Sequence, residues 1–138
     1  MSHYVGEHRP SPLALALLAL SAVCLGIAGY EHGGLYHRGY AEVSVVGPLF
    51  LLNAIATAVV ILLLVFGRTV LYVAGALVIA LGSLVSIFIS HSSSFFGFAE
   101  GGYDGSAKLI VATEIAAAVL AVAGLVAGGA RRRAEVTA

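Results

Sequence analysis

Long apolar runs separated by short polar stretches organise this chain. No charged residue stands between Arg9 and Glu31, between Glu42 and Arg68, or between Arg68 and Glu100, and from Leu109 to Ala130 the one charge is Glu114. Each interval holds the ~20 apolar residues that a helix needs to cross a hydrocarbon core about 30 Å thick. The pattern predicts helices near 12–30, 44–67, 69–90 and 107–130. In lipid every backbone N–H and C=O needs a partner inside the protein, which makes such runs helical. Stretches such as LALALLALSAV and AVVILLLVF do not alternate polar with apolar residues, as the strands of a membrane barrel would. The expected fold is all-α: a single-domain four-helix transmembrane bundle, up-down-up-down, with a disordered tail from about 131.

Composition sharpens this. Of the 138 residues 60% are hydrophobic and 10% charged, and mean hydropathy is +1.03. Soluble domains average roughly 25% charged residues, so these few charges are too sparse to cover a soluble fold. The formal net charge is zero, which leaves no basic field for nucleic acid. Cys24 is the one cysteine, so no disulfide forms within the chain. No phosphate-binding loop, dinucleotide fingerprint, nucleophile elbow or zinc-protease motif occurs, and little chain lies outside the apolar runs. The expected class is therefore non-enzymatic. The first run, Leu13 to Gly29, is longer than the apolar core of a secretory signal and follows a segment with one Arg against one Glu; it reads as a retained helix, the alternative being a cleaved signal, since Ser21-Ala22-Val23-Cys24 loosely resembles a lipoprotein cleavage site.

Basic residues orient the bundle. With four spans, Arg9, Arg68, Arg131, Arg132 and Arg133 fall on one side, and Arg38 and Lys108 on the other. The excess predicts that both termini and the second loop are cytoplasmic. Helices two and three, separated only by Gly67-Arg68-Thr69, must form an antiparallel hairpin. The two outer loops, Tyr30 to Glu42 and His91 to Lys108, are rich in Gly and aromatic residues. Tyr30, Tyr36, Tyr40, Phe95, Phe96, Phe98 and Tyr103 read as an interfacial belt. The expected protein is a multi-pass membrane protein whose first partner is the bilayer.

The polar residues inside the spans are the candidates for chemistry. Glu114 lies about one and a half turns inside helix four, and an ionisable group at membrane depth is a functional hypothesis by default. Its alternatives are to reach outward to the interface or to pair with Arg38. Asn53, in the middle of helix two, is either an interhelical hydrogen-bonding residue or part of a polar path with Thr57, Ser83, Ser86 and Glu114. His32 and His37 in the first outer loop and His91 at the end of helix three share one side of the membrane. Imidazoles with a carboxylate suit a transition metal, and histidines ending two helices suit a haem; the alternative is an interfacial role. His3 and His8 lie on the opposite side.

Small residues mark where helices approach, since apolar area does not drive association in lipid. Helix four carries Ala112, Ala116, Ala117, Ala121, Gly124 and Gly128, helix one Ala22, Gly26 and Gly29, and helix three Gly75 and Gly82. Gly124 and Gly128 serve either packing within the chain or a seam between copies, and a larger membrane complex is a further partner.

The stretch Tyr30 to Asn53 (YEHGG, a Tyr/Gly spacer, then GPLFLLNA) and the early glutamate of helix four in ATEIAAAV resemble small four-helix bacterial membrane proteins with no assigned activity. The resemblance implies the architecture and pairs His32, Asn53 and Glu114 with a His, an Asn and a Glu of those proteins; it supplies no substrate. Three functions follow. One is an accessory subunit or a binder of a small ligand near the outer face. Another is a small proton-coupled transporter using Glu114 and Asn53. The last is a metal- or haem-binding redox protein using His32, His37 and His91.

Overall fold

A computed structural model describes residues 11–99, 101, 102 and 104–137, with side chains described as far as 129. Four helices form: α1 Pro12–His37, α2 Val46–Val65, α3 Thr69–Ser92 and α4 Gly105–Thr137. Each contains a stretch long and apolar enough to cross a membrane. Among the described residues strand pairing is limited to one bridge, Phe95 to Phe98. The described residues are thus all-helical in architecture, with four helices long and apolar enough to span a membrane. Tyr103, placed in the aromatic belt, and His3, His8 and Arg9 lie outside the described residues.

Local sequence explains the helix ends. Ser11 caps α1: its hydroxyl accepts from the Ala14 N–H at 3.0 Å, with Pro12 in the first turn, where its missing N–H costs nothing. Between α2 and α3, Gly67 takes φ +72°. Its N–H donates to the Leu64 carbonyl at 3.0 Å, and the Arg68 N–H donates to the Leu63 carbonyl at 2.8 Å. This is the Schellman arrangement, and it needs a residue free to adopt left-handed φ. Asp104 begins α4 by accepting from the Ala107 N–H at 2.7 Å.

Two boundaries differ from the sequence expectation. The helix drawn as ending near 30 continues to His37, so His32 and His37 belong to α1 and the first loop spans 38–45. Glycine lowers helix propensity, which made YEHGG read as loop. Here the glycines serve packing: Gly26, Gly29 and Gly33 form a stripe on which Ile61, Thr57 and Ala54 of α2 rest. A Cβ at Gly29 would stand 2.7 Å from Thr57 Cγ2. At the other end of the chain, α4 runs to Thr137, through the segment expected to be a disordered tail. Residues 131–137 contain no Gly or Pro to stop a helix.

The helices form a four-sided bundle in which α1 packs on α2 and α4, and α3 on α2 and α4. Consecutive helices run antiparallel, leaving α1 and α3 diagonal. The turn between α2 and α3 lies at one end, with Ala14 and Gly124. The loops 38–45 and 93–104 lie at the other, the loop end. The buried face of α1 reads Ala14, Leu18, Ser21, Leu25, Ala28, His32. That of α4 reads Ile110, Glu114, Ala117, Ala121, Gly124. Both alternate steps of four and three, the spacing of a left-handed helix pair. Gly124 lies under Leu18, 2.7 Å from where its Cβ would be, and Gly128 faces Ala14. The glycines considered as a seam between copies are therefore occupied by α1 of the same chain. Gly75 approaches Val60 of α2 in the same manner.

The bundle divides along its length. Toward the turn end the core is apolar, with Leu18, Leu25, Val60, Tyr72, Val73, Ala76, Ala117 and Ala121. Tyr72 is held by Ser21, whose hydroxyl also reaches the Ala117 carbonyl. Toward the loop end the buried residues include His32, Ser83, Ser90 and Glu114. Large apolar side chains such as Ile55, Val59, Phe88 and Val119 project outward, as lipid-facing surface should.

Candidate functional site: an intramembrane pocket with a buried polar chain

At the loop end α2 and α3 enclose a pocket of about 480 Å³, bounded also by α1, the first residues of α4 and both loops. Its size lies within the range of small-molecule sites. Its walls are mostly apolar: Leu35, Val46, Leu49, Phe50, Val78, Ile79, Ile87 and Ile110. Polar groups come from His32, Asn53, Ser83, Ser86, Ser90, His91 and Asp104. The serines recur at steps of three and four along α3, so one face of that helix presents them to the pocket.

Aromatic rings close the loop end. His32 meets Phe50 edge-on at 5.3 Å, Phe50 meets Tyr40 at 5.0 Å, and Tyr40 meets Phe98 at 5.6 Å. Phe95 and Phe98 exchange backbone hydrogen bonds, the N–H of each donating to the carbonyl of the other at 2.7 and 3.0 Å. Phe96 and Gly97 between them have φ +50° and +80°, the signature of a type I′ turn. Of the expected interfacial belt, Tyr30 and Phe96 are exposed, whereas Tyr40, Phe95 and Phe98 turn to the pocket.

The first loop is set by backbone geometry. Val45 takes φ +68° and ψ −52°, and the Val46 N–H donates to the Ser44 carbonyl at 2.8 Å. That is a γ-turn, a conformation strained for a β-branched residue. It delivers Gly47 against the Tyr40 carbonyl, where a Cβ has no room. Tyr40 is thereby fixed over Phe50.

Behind the pocket wall lies Glu114, fully buried at a core position of α4 between Ile110 and Ala117. Among the described residues neither carboxyl oxygen has a hydrogen-bond partner. Ser83 Oγ lies 3.3 Å from His32 Nε2, and His32 Nδ1 lies 2.8 Å from the Ala28 carbonyl. A hydroxyl of α3 and an imidazole of α1 therefore meet inside the bundle.

The other candidates fall as follows. Arg38 contacts Glu31 at 3.1 Å and Ser106 at 3.4 Å; it ties α1 to the start of α4 and does not pair with Glu114. Asn53 accepts from Thr57 at 3.4 Å on its own helix and lines the pocket. His32 and His91 share the pocket, while His37 lies on another face of α1, beside Gly33, Gly34 and Ala58. Five residues apart on a helix, His32 and His37 point about 140° from each other. Among the described residues no three His, Cys, Asp or Glu side chains gather closely enough to hold a metal ion. With His32 Nε2 at Ser83 and both Nδ1 atoms of His32 and His91 at backbone carbonyls, the three histidines do not form a shared metal-ion site. The Ser21–Tyr72 contact and the Phe50–Tyr40 pair escaped the sequence reading. The available signal for the former was Tyr72, a tyrosine placed inside a span.

The chain matches no family model, and neither the curated proteins nor the solved structures yield a significant match.

Proposed function

We propose that this multi-pass membrane protein binds a small lipophilic molecule bearing a polar group, in the pocket between α2 and α3. The pocket itself carries this reading: an apolar cavity of about 480 Å³ with polar groups along one side, inside a helical bundle fit to cross lipid. Apolar walls take a hydrocarbon or aromatic body, and the amide of Asn53 with the α3 hydroxyls fixes the polar end. Of the alternatives read from the sequence, a ligand binder has a cavity to support it.

The membrane we assign is the cell membrane, with both termini and the α2–α3 turn cytoplasmic and the pocket opening toward the outer leaflet. The support is the excess of Arg9, Arg68 and Arg131–Arg133 over Arg38 and Lys108. In a Cys24→Ser background, Arg38→Cys should react with an impermeant thiol reagent added outside and Arg132→Cys only after permeabilisation. The reverse pattern overturns the orientation.

Binding is tested with 1-naphthol and the full chain in lipid nanodiscs. Saturable quenching of naphthol fluorescence is expected, together with its loss in Ser86→Trp, which fills the cavity. Equal, non-saturable partitioning into wild-type and Ser86→Trp discs overturns the proposal.

A further inference from the structure

Resting on the pocket reading, we propose that the ligand of this pocket is an elongated lipophilic cation of the alkylated ammonium class, its charged head held among the loop-end aromatic rings beside Asp104. The lining there is complementary to positive charge. Tyr40, Phe50, Phe95, Phe96 and Phe98 border the loop end together with the Asp104 carboxylate, and among the described residues no lysine or arginine lines the cavity. Four of the rings are partly buried and Phe96 is exposed, so the core does not use up their faces.

The rings are inclined to one another. Tyr40 stands at 50° to Phe50 with centroids 5.0 Å apart and at 67° to Phe98 at 5.6 Å, and Phe95 stands at 77° to Phe96 at 4.8 Å. Parallel stacking would hide ring faces against each other, whereas an inclined pair covers at most one face of one ring. The free faces carry the negative part of the ring quadrupole and attract a cation within about 6 Å of the centroid. Walls of this kind hold alkylated ammonium heads.

The hydrogen inventory on α3 has the same sign. Ser86 donates to the Gly82 carbonyl at 2.8 Å, and Ser90 to the Ile87 carbonyl at 2.9 Å. The Ala28 carbonyl only accepts, so His32 Nδ1 carries a hydrogen. In a neutral imidazole Nε2 then holds a lone pair, to which Ser83 Oγ donates at 3.3 Å. All three serine protons are spent, and each oxygen offers the cavity a lone pair. Asp104 accepts the Ala107 N–H at 2.7 Å. Among the described residues neither the Arg38 nor the Lys108 side chain pairs with it; Arg38 is held by Glu31 and Ser106. A cation therefore meets lone pairs along one wall and ring faces with a carboxylate at the mouth, all of attractive sign. From Val78 to His91 the α3 lining extends about 20 Å along the bundle axis, which leaves the apolar stretch around Val78 and Ile79 for the body of the ligand.

Three naphthyl probes test the class on the full chain in phosphatidylcholine nanodiscs, read by saturable fluorescence change after subtraction of partitioning into Ser86→Trp discs. They are (1-naphthylmethyl)trimethylammonium, its uncharged carbon isostere 1-(2,2-dimethylpropyl)naphthalene, and the anion 1-naphthylmethanesulfonate. The cation should bind about tenfold or more tightly than the isostere, and the anion most weakly. Asp104→Asn, which keeps a good helix cap, and Phe98→Leu, which keeps apolar bulk without a ring face, should each lower the cation-to-isostere affinity ratio about threefold or more; Phe98→Tyr should retain it. Equal affinity for cation and isostere, or a ratio unchanged in both Asp104→Asn and Phe98→Leu, overturns the cation class. So does saturable binding of 1-naphthol without saturable binding of the cation, a result that leaves the pocket standing. If neither 1-naphthol nor any of the three probes saturates, the pocket reading and the cation class fall together.

Discussion

Tyr72 Oη lies 2.6 Å from Ser21 Oγ, joining the two helices that stand diagonally in the bundle. Ser21 also donates to the Ala117 carbonyl at 2.7 Å. Its single proton is used there, so Tyr72 must be the donor in the diagonal bond. Three helices thus meet at one serine hydroxyl, within an otherwise apolar half of the core.

Ser21→Ala and Tyr72→Phe should both destabilise the bundle, in that order of severity. Tyr72→Phe removes one bond and leaves Ser21 bonded to Ala117, a loss of about 0.5–1.5 kcal/mol. Ser21→Ala strands both the tyrosine hydroxyl and the Ala117 carbonyl, and should cost about 1–3 kcal/mol. Unfolding by detergent titration reads both; equal losses would mean that the Ala117 bond contributes nothing.

The glycines separate into two groups by the space around them. Gly75→Ala and Gly124→Ala would bring a Cβ to 2.6 Å from Val60 and 2.7 Å from Leu18, and overpacking of this kind costs about 1–3 kcal/mol. Gly82 has nothing within 4 Å; Gly82→Ala should change stability by less than about 0.5 kcal/mol. The same unfolding assay orders the three, and a destabilised Gly82→Ala would contradict the described packing.

Phe50 touches both His32 and Tyr40, and Tyr40 touches Phe98. Phe50→Ala should weaken naphthol binding by about tenfold, consistent with loss of an aromatic contact worth about 0.5–1.5 kcal/mol beyond its buried area. Combined with Phe98→Ala the effects should be non-additive, because both rings act through Tyr40. Strict additivity in fluorescence titrations would show that the rings act separately.

Arg38 is more than half exposed in its pair with Glu31. Arg38→Ala should therefore shift stability by no more than about 1 kcal/mol and leave naphthol affinity unchanged. A loss of binding in this variant, read in the same titration, would return Arg38 to the site.

The four spans were legible because charge is nearly absent from them, and Glu114 stood out for the same reason. Its setting was not. The steps of four and three that place His32 and Glu114 on buried faces are visible in the sequence, yet they become meaningful only once α1 is known to remain helical beyond Tyr30. Gly33 and Gly34 concealed this, since their low helix propensity is outweighed by the close approach of α2. That Tyr40 and Phe98 line the pocket was hidden for a similar reason: a strained Val45 and a tight Phe96–Gly97 turn hold those rings there, and of the two conformations only the turn is marked in residue type, by Gly97. His37 was grouped with His32 by chain proximity, which a helix turns into opposite directions.

The helices differ in length, α1 having 26 residues and α2 20, or about 39 Å against about 30 Å. α2 matches a hydrocarbon layer of about 30 Å standing upright, while α1 must lean or protrude. Thinning the bilayer enlarges that mismatch at a cost of fractions of a kcal/mol per ångström, and because Gly26, Gly29 and Gly33 stand beside Ile61, Thr57 and Ala54 the overhanging turns are the first ones of α1. Membrane thickness thereby acts as a mechanical load on α1, felt first where Ala14 and Leu18 seat on Gly128 and Gly124.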